Sequence, residues 1–378
     1  MRTLILAIAL LAGCTTTPDP AADTPTDAWN WDLPEGFPKP YVPADNPMTA
    51  EKVALGRHLF FDTRLSSNEA VSCASCHDQA IGFADARPLS VGALGDLTPS
   101  NAPTLQNVAY YSNLTWAHPD ILELEDQIAI PMFGEHPVEM GVTGNEALIL
   151  GRLSDDPTYV DLWSAAWPDA PDPAFDTAID ALASFIRTMV SADSPFDRFV
   201  YAFDDGAMSD SALNGMDLFF SERFECHHCH GGFHLSRAAR TSTSSLVEAA
   251  FDNNGLYNLD GEGGYPDLNQ GLYAFTGLDS DEGRFRPPSL RNVAVTAPYM
   301  HDGSIETLQE VLAMYADGGL LTEDGPNAGD GRTNPHKSGF VEGFIATEQE
   351  FADLTAFLES LTDETFLFKT DFSDPRAE

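Results

Sequence analysis

Residues Ser221–His230 read SERFECHHCH, and within them Cys226, Cys229 and His230 form C-x-x-C-H. In that pattern two thiols add to the vinyl groups of a porphyrin, and the next residue sets an imidazole under its iron. One such match is also compatible with a redox dithiol or half a zinc site. The chain carries a second, at Cys73, Cys76 and His77, followed by the same kind of downstream sequence. Two matches point to two covalently bound haems c.

Working outward, the surroundings of the two motifs repeat. A helix is predicted from near Thr49, with Val53, Leu55, Leu59 and Phe60 on its apolar face, and another near Ser211–Phe220. Gly56 stands three residues before Leu59-Phe60-Phe61, and Gly215 three before Leu218-Phe219-Phe220. Beyond the haem motifs, Pro103–Ala109 (PTLQNVA) answers Pro288–Ala294 (PSLRNVA). A repeat of this length means two copies of one module. The expected fold is therefore mainly α, two cytochrome c-like haem domains related by internal duplication. Residues 48–205 form the N-terminal domain and 206–378 the C-terminal one. Phe175–Val190 and Thr347–Leu361 read as further amphipathic helices, and the acidic, Gly-rich Asp260–Asn269 as a connecting loop without EF-hand spacing.

The balance of 59 acidic against 19 basic residues, net −40, excludes a nucleic-acid partner. A solvated, salt-adapted surface is the plain reading of this acidity, and docking to a basic partner the sharper one. Of five cysteines, four belong to the haem motifs. The fifth, Cys14, follows MRTLILAIALLAG, a charged start and an apolar run too short to span a bilayer. Leu11-Ala12-Gly13-Cys14 looks like a lipobox, so residues 1–14 are read as a lipoprotein signal ending at a lipidated cysteine. Residues 15–47 are read as a tether and extended arm, pinned by Trp29 and Trp31. The protein is expected in the periplasm, touching a membrane only through its lipid anchor. Thr15 after the cysteine suggests the outer membrane.

Haem chemistry turns on the sixth iron position. In the second module Ile305, Leu308, Val311, Leu312 and Tyr315 recur at helical spacing, while Met314 lies about 100° round the helix, in line with Thr307 and Glu310. Both cannot face one iron. The period favours Tyr315, although a core tyrosine with a bonded hydroxyl explains it equally well. In the first module the corresponding helix is Ile121–Ile130, ending in Pro131-Met132. Tyr315 comes 23 residues after Asn292 and Pro131 comes 24 after Asn107, so a residue that cannot ligate stands at the ligand position. Gln127 and Glu139 would be the polar neighbours of that open site, the carboxylate able to move a proton as peroxide is cleaved.

These residues resemble the bacterial di-haem cytochrome c peroxidase and MauG family over nearly all of residues 45–368. Asn101-Ala102-Pro103-Thr104, Thr115-Trp116, Leu124–Gln127 with Pro131, Pro137–Met140 and Arg286–Gly303 carry the likeness. WDLPEGFP, SERFECHHCHGGF and HKSGFVEGF look most like MauG-type enzymes encoded beside methanobactin genes. The resemblance implies His77 as the proximal ligand of the peroxide-reactive haem, with Gln127, Pro131 and Glu139 on its other side. It implies His230 and Tyr315 on the second haem, and Trp116 coupling the two. It also implies one calcium ion, held by Asn101 and the backbones of Thr296 and Pro298. Where the peroxidases carry a histidine that closes the open site at rest, this chain has Ala93, and Asp78–Tyr110 holds no histidine. Where MauG has an exit tryptophan, it has Phe224.

The implied activity uses hydrogen peroxide to reach a high-valent bis-haem state that oxidises a tryptophan or tyrosine of a partner protein; the likeness to the methanobactin-associated enzymes suggests tryptophan converted to kynurenine. The rivals are a peroxidase drawing electrons from a small cytochrome and a di-haem electron carrier without enzymatic activity.

Overall fold

A computed structural model describes residues 29–245, 247 and 249–377; Cys14 and the leader before it lie outside the described residues. The helices are α1 (Ala50–Phe61), α2 (Leu124–Phe133), α3 (Glu146–Ser154), α4 (Pro157–Ala166), α5 (Phe175–Arg187) and α6 (Pro195–Tyr201). They continue as α7 (Asp210–Phe219), α8 (Tyr273–Thr276), α9 (Leu308–Ala316), α10 (Glu348–Glu359) and α11 (Glu364–Leu367). One short antiparallel pair, β1 (Leu321–Thr322) with β2 (Gly329–Asp330), joins them.

Thr49 caps α1 by accepting from Lys52 N, and Ser209 caps α7 by accepting from Ala212 N. A helix of 12 residues is marginal alone, so α1 depends on what it packs against. Leu55, Leu59 and Phe60 are fully buried, and Phe60 meets Phe185 of α5 edge to face at 5.5 Å. Burial of each such side chain contributes roughly 1.5–3 kcal/mol, well above helix propensity. Gly56 is what permits the crossing, since a Cβ there would overlap the Ala181 carbonyl. The second module repeats the device: a Cβ on Gly215 would overlap the Asp353 carbonyl of α10, and Phe219 meets Phe357 at 5.1 Å.

The repeated asparagines explain where these helices stop. Asn107 and Asn292 both sit in the left-handed region, at φ 54°. Asn107 N donates to Met189 O, and its Oδ1 accepts from Ser191 N at 2.6 Å. Asn292 N donates to Leu361 O, and its Oδ1 accepts from Asp363 N at 2.6 Å. Those backbone groups bond across the module instead of along the helix. Thus α5 ends at Arg187, before the expected Val190, and α10 at Glu359, before Leu361. The α2 helix also differs from expectation, beginning at Leu124 and running through Pro131 to Phe133. Pro131 forfeits only the bond to the Gln127 carbonyl, while Gly134 N closes the last turn on Ile130 O.

The division near residue 205 is crossed twice by the chain. Phe196 of α6 belongs to the second core, with Phe219, Leu354 and Phe357. Phe366 and Phe372, near the C-terminus, pack into the first core beside Phe83 and Phe185. A buried ion pair, Arg291 with Asp197 at 2.7 Å, holds α6 to the second module. Phe37 seats the N-terminal arm, edge to face with Tyr110, Tyr201 and Phe233, and Trp29 and Trp31 meet each other at 6.3 Å.

Candidate functional site

Each haem motif folds as one tight turn. His77 N donates to Cys73 O and His230 N to Cys226 O, both at 3.0 Å, which places thiols and imidazole on one short loop. Both proximal rings are oriented alike: His77 Nδ1–H donates to the Phe83 carbonyl at 2.9 Å and His230 Nδ1–H to the Pro288 carbonyl at 3.0 Å. That bond fixes the tautomer and leaves each Nε2 lone pair free for a metal. Burial lowers the pKa of both rings below the ordinary imidazole value despite the carbonyl bonds, so both are neutral as ligation requires. Burial pushes the thiols of Cys73, Cys226 and Cys229 up to about 12 and raises Cys76 as well.

In the first module a cavity of about 260 Å³ separates His77 from α2. Its wall includes Cys73, Cys76, Gln127, Pro131, Glu139 and Trp116, so every residue expected at the open site lines one space. Gln127 Oε1 is buried there without a hydrogen-bond partner, and burial raises the Glu139 carboxyl above the ordinary range. Ala93, at the position where a closing histidine was looked for, donates its N–H to the Glu139 carbonyl. A planar cofactor with polar substituents fits this lining: an imidazole without steric competition on one side, a proline on the other, and unsatisfied polar atoms between.

The two candidates at the second site, Tyr315 and Met314, are neighbours on α9. Tyr315 is half-buried, and burial pushes its phenol pKa up. Met314 was expected on the polar face with Thr307 and Glu310, yet it is only 3 % exposed. Leu256, Tyr257 and Tyr265 form one cluster with Met314, and Tyr315 packs against the same cluster. Ile305, expected within the helix, precedes it and pairs with Tyr299.

Trp116 lies where the modules meet. Its Nε1–H donates to the Asn101 carbonyl at 2.8 Å, and its own carbonyl accepts from Arg286 N at 2.7 Å. Asn101 N donates in turn to His301 O, so the tryptophan is held from both modules. Asn101 also donates its amide to the carbonyls of Arg87 and Pro88. Thr296 sits on the same seam, its methyl group beside Gly82, and Pro298 is buried two residues on.

Sequence reasoning missed two side chains. The Arg286 guanidinium lies 3.6 Å from the Tyr111 ring centre and 5.8 Å from that of Trp116, with Nη1 buried and unpartnered. His301, stacked on Phe285 at 3.6 Å, buries an unpartnered Nε2, and burial lowers its pKa to about 4. Both belong to the Arg286–Gly303 run, whose composition offered a signal without roles. The unsatisfied Arg286 nitrogen, on a residue that lines the first cavity, suits a carboxylate of the kind a haem carries.

Paired C-x-x-C-H turns, a cavity beside the first of them and a tryptophan on the seam are an arrangement suited to a di-haem oxidoreductase. The family model for di-haem cytochrome c peroxidase matches residues 50–205. The cytochrome-c peroxidase IdrP1 of Denitromonas iodatirespirans is 37% identical, over 96% of this chain and 93% of the relative. The methylamine utilization protein MauG of Methylorubrum extorquens is 33% identical, over 92% and 90%. A crystal structure of a MauG-like protein associated with microbial copper homeostasis superposes with TM-score 0.90 and 46% identity, covering 92% of this chain and 100% of that one. The chain belongs to the di-haem cytochrome c peroxidase and MauG family, as a peroxide-dependent di-haem enzyme with two haems c.

Proposed function

We propose that this enzyme uses hydrogen peroxide to oxidise a residue of a partner protein, a tryptophan converted to kynurenine, and does not simply reduce peroxide with electrons from a small cytochrome. The observation that carries this reading is the cavity beside His77, which Gln127, Pro131, Glu139 and Trp116 line together. Tyr315 is taken as the ligand of the second iron on the helical period, which favours it over Met314. When bound, the haems supply the two-electron reduction of peroxide and hold the oxidising equivalents it leaves. The chain's residues do the rest. Pro131 offers no donor atom to a metal held in the first cavity, and Gln127 would present an amide to what enters. Glu139, in a dry pocket, takes a proton from one peroxide oxygen and returns it to the other. Tyr315, if ionised by the second iron, would be an anionic ligand and would favour that iron's oxidised state. Trp116 bridges the two sites from a position fixed by hydrogen bonds. The same reading includes a calcium ion on the seam, at Asn101, Thr296 and Pro298.

The test is stopped-flow mixing of the diferric holoprotein with stoichiometric peroxide. Both haem spectra should change before any reductant is added. Tyr315→Phe should abolish the change at the second haem, and Met314→Leu should leave it intact. If reaction awaits reduction of one haem, or if the two variants behave in the opposite way, the chain is an ordinary cytochrome peroxidase.

A further inference from the structure

The two residues between the second pair of haem-attaching thiols are both histidines, and the structure gives them partners. His227 Nε2 stands 3.6 Å from Glu222 Oε1, and His228 Nε2 stands 3.5 Å from Glu222 Oε2 and 2.8 Å from Glu225 Oε2. One donor atom from each of Glu222, His227 and His228 lies within 4.8 Å of the others. Ligands about 2.1 Å from a common ion are spaced roughly 3.0–3.4 Å apart in octahedral or tetrahedral geometry, so these separations are close to the edges of a coordination shell. His228 Nε2 is buried, and the Glu225 carboxylate lies off the direction of an N–H bond, so the nitrogen has no hydrogen-bond partner. Its ring is already fixed, stacked on Phe340 at 4.1 Å and 11°, with the His227 ring 4.2 Å away. Nothing in the peroxide chemistry uses these side chains.

We propose that Glu222, His227 and His228, with Glu225 beside them, bind one divalent ion of the late first-row series, Cu²⁺ or Zn²⁺. Two imidazoles select these ions over calcium and magnesium, and Cu²⁺ binds such a set more tightly than Zn²⁺. Two carboxylates balance the charge of the ion. The site joins the loop after α7 to the haem-attachment turn, so occupancy clamps the segment that carries Cys226 and Cys229.

The experiment titrates EDTA-treated diferric holoprotein with Cu²⁺ in the presence of glycine as a weak competitor, read by EPR. One equivalent should bind with hyperfine structure from imidazole nitrogen and should speed relaxation of the second haem's signal. The variants His228→Ala and Glu222→Gln should weaken binding by ~100-fold, since loss of even an outer-shell partner costs about 10–100-fold. The exposed His136→Ala should change nothing. Haem absorbance reports whether each variant is intact, and the surface change Glu222→Gln carries the test if a histidine variant loses haem. Absence of a saturable equivalent, or one that survives Glu222→Gln and His227→Ala/His228→Ala alike, overturns the site.

Discussion

Glu139 shows how one residue acquires a role that its neighbours in sequence do not announce. It follows Pro137-Val138 in a loop, yet its carboxyl is buried in the first cavity and its pKa is raised by burial above the ordinary value near 4.5. Folding therefore favours the protonated form. The stability this contributes is complete below the unfolded pKa and is lost as pH rises through the higher folded value. A base must be ionised, so the peroxide reaction should accelerate over the same window. Glu139→Gln should slow that reaction by ~10²–10⁴-fold and remove this limb of the pH–rate profile. It should leave stability unchanged at low pH and increase it above the folded pKa. Stopped-flow rates and denaturant melts across pH check both halves, and a variant that lost activity and stability together would mark Glu139 as merely structural.

The helices owe their arrangement to close crossings, and the two glycines at those crossings are the sensitive points. Gly215 has no room for a methyl group because the obstacle is the Asp353 backbone carbonyl, which cannot rotate away. Gly215→Ala should cost about 1–3 kcal/mol, the usual penalty of overpacking. Gly151, inside α3, faces open space, and Gly151→Ala should stabilise by up to about 1 kcal/mol through helix propensity. Equilibrium unfolding of the two variants in parallel measures the contrast. The same crossings explain why both helix ends were overestimated from periodicity: Met189 and Leu361 continue the apolar stripe, but Asn107 and Asn292 claim the backbone there.

Across the whole molecule the modules are joined by a seam that contains the expected electron path. Trp116 is bonded to Asn101 and Arg286, and Asn101 to His301, so tryptophan, loop and second module form one rigid chain of contacts. Gln106 and Asn292 tie the repeated segments to each other across the same seam, at 2.5 Å. On the reading that calcium holds this region, chelation with EGTA should leave peroxide consumption at the first haem but uncouple the second, and Trp116→Phe should do the same at any calcium level. Time-resolved spectra of both haems decide it. Unchanged coupling after verified calcium removal would dismiss the ion from this role.

Covalent chemistry and local repetition were legible in the sequence, because both are written in neighbouring residues. Cys73, Cys76, His77 and their counterparts near 230 announce two haems, and the repeats around Gly56 and Gly215 announce two helical modules. Pro131 could be read too, since a proline cannot ligate in any fold. What depended on distant segments could not be read. Tyr315 and Met314 are adjacent on one helix, and only the tertiary structure brings the cluster of Leu256, Tyr257 and Tyr265 against both of them. Arg286 and His301 gained meaning only when the modules met and left their nitrogens buried without partners. Periodicity reports that a helix has an inside, and the tertiary structure decides how many insides it has.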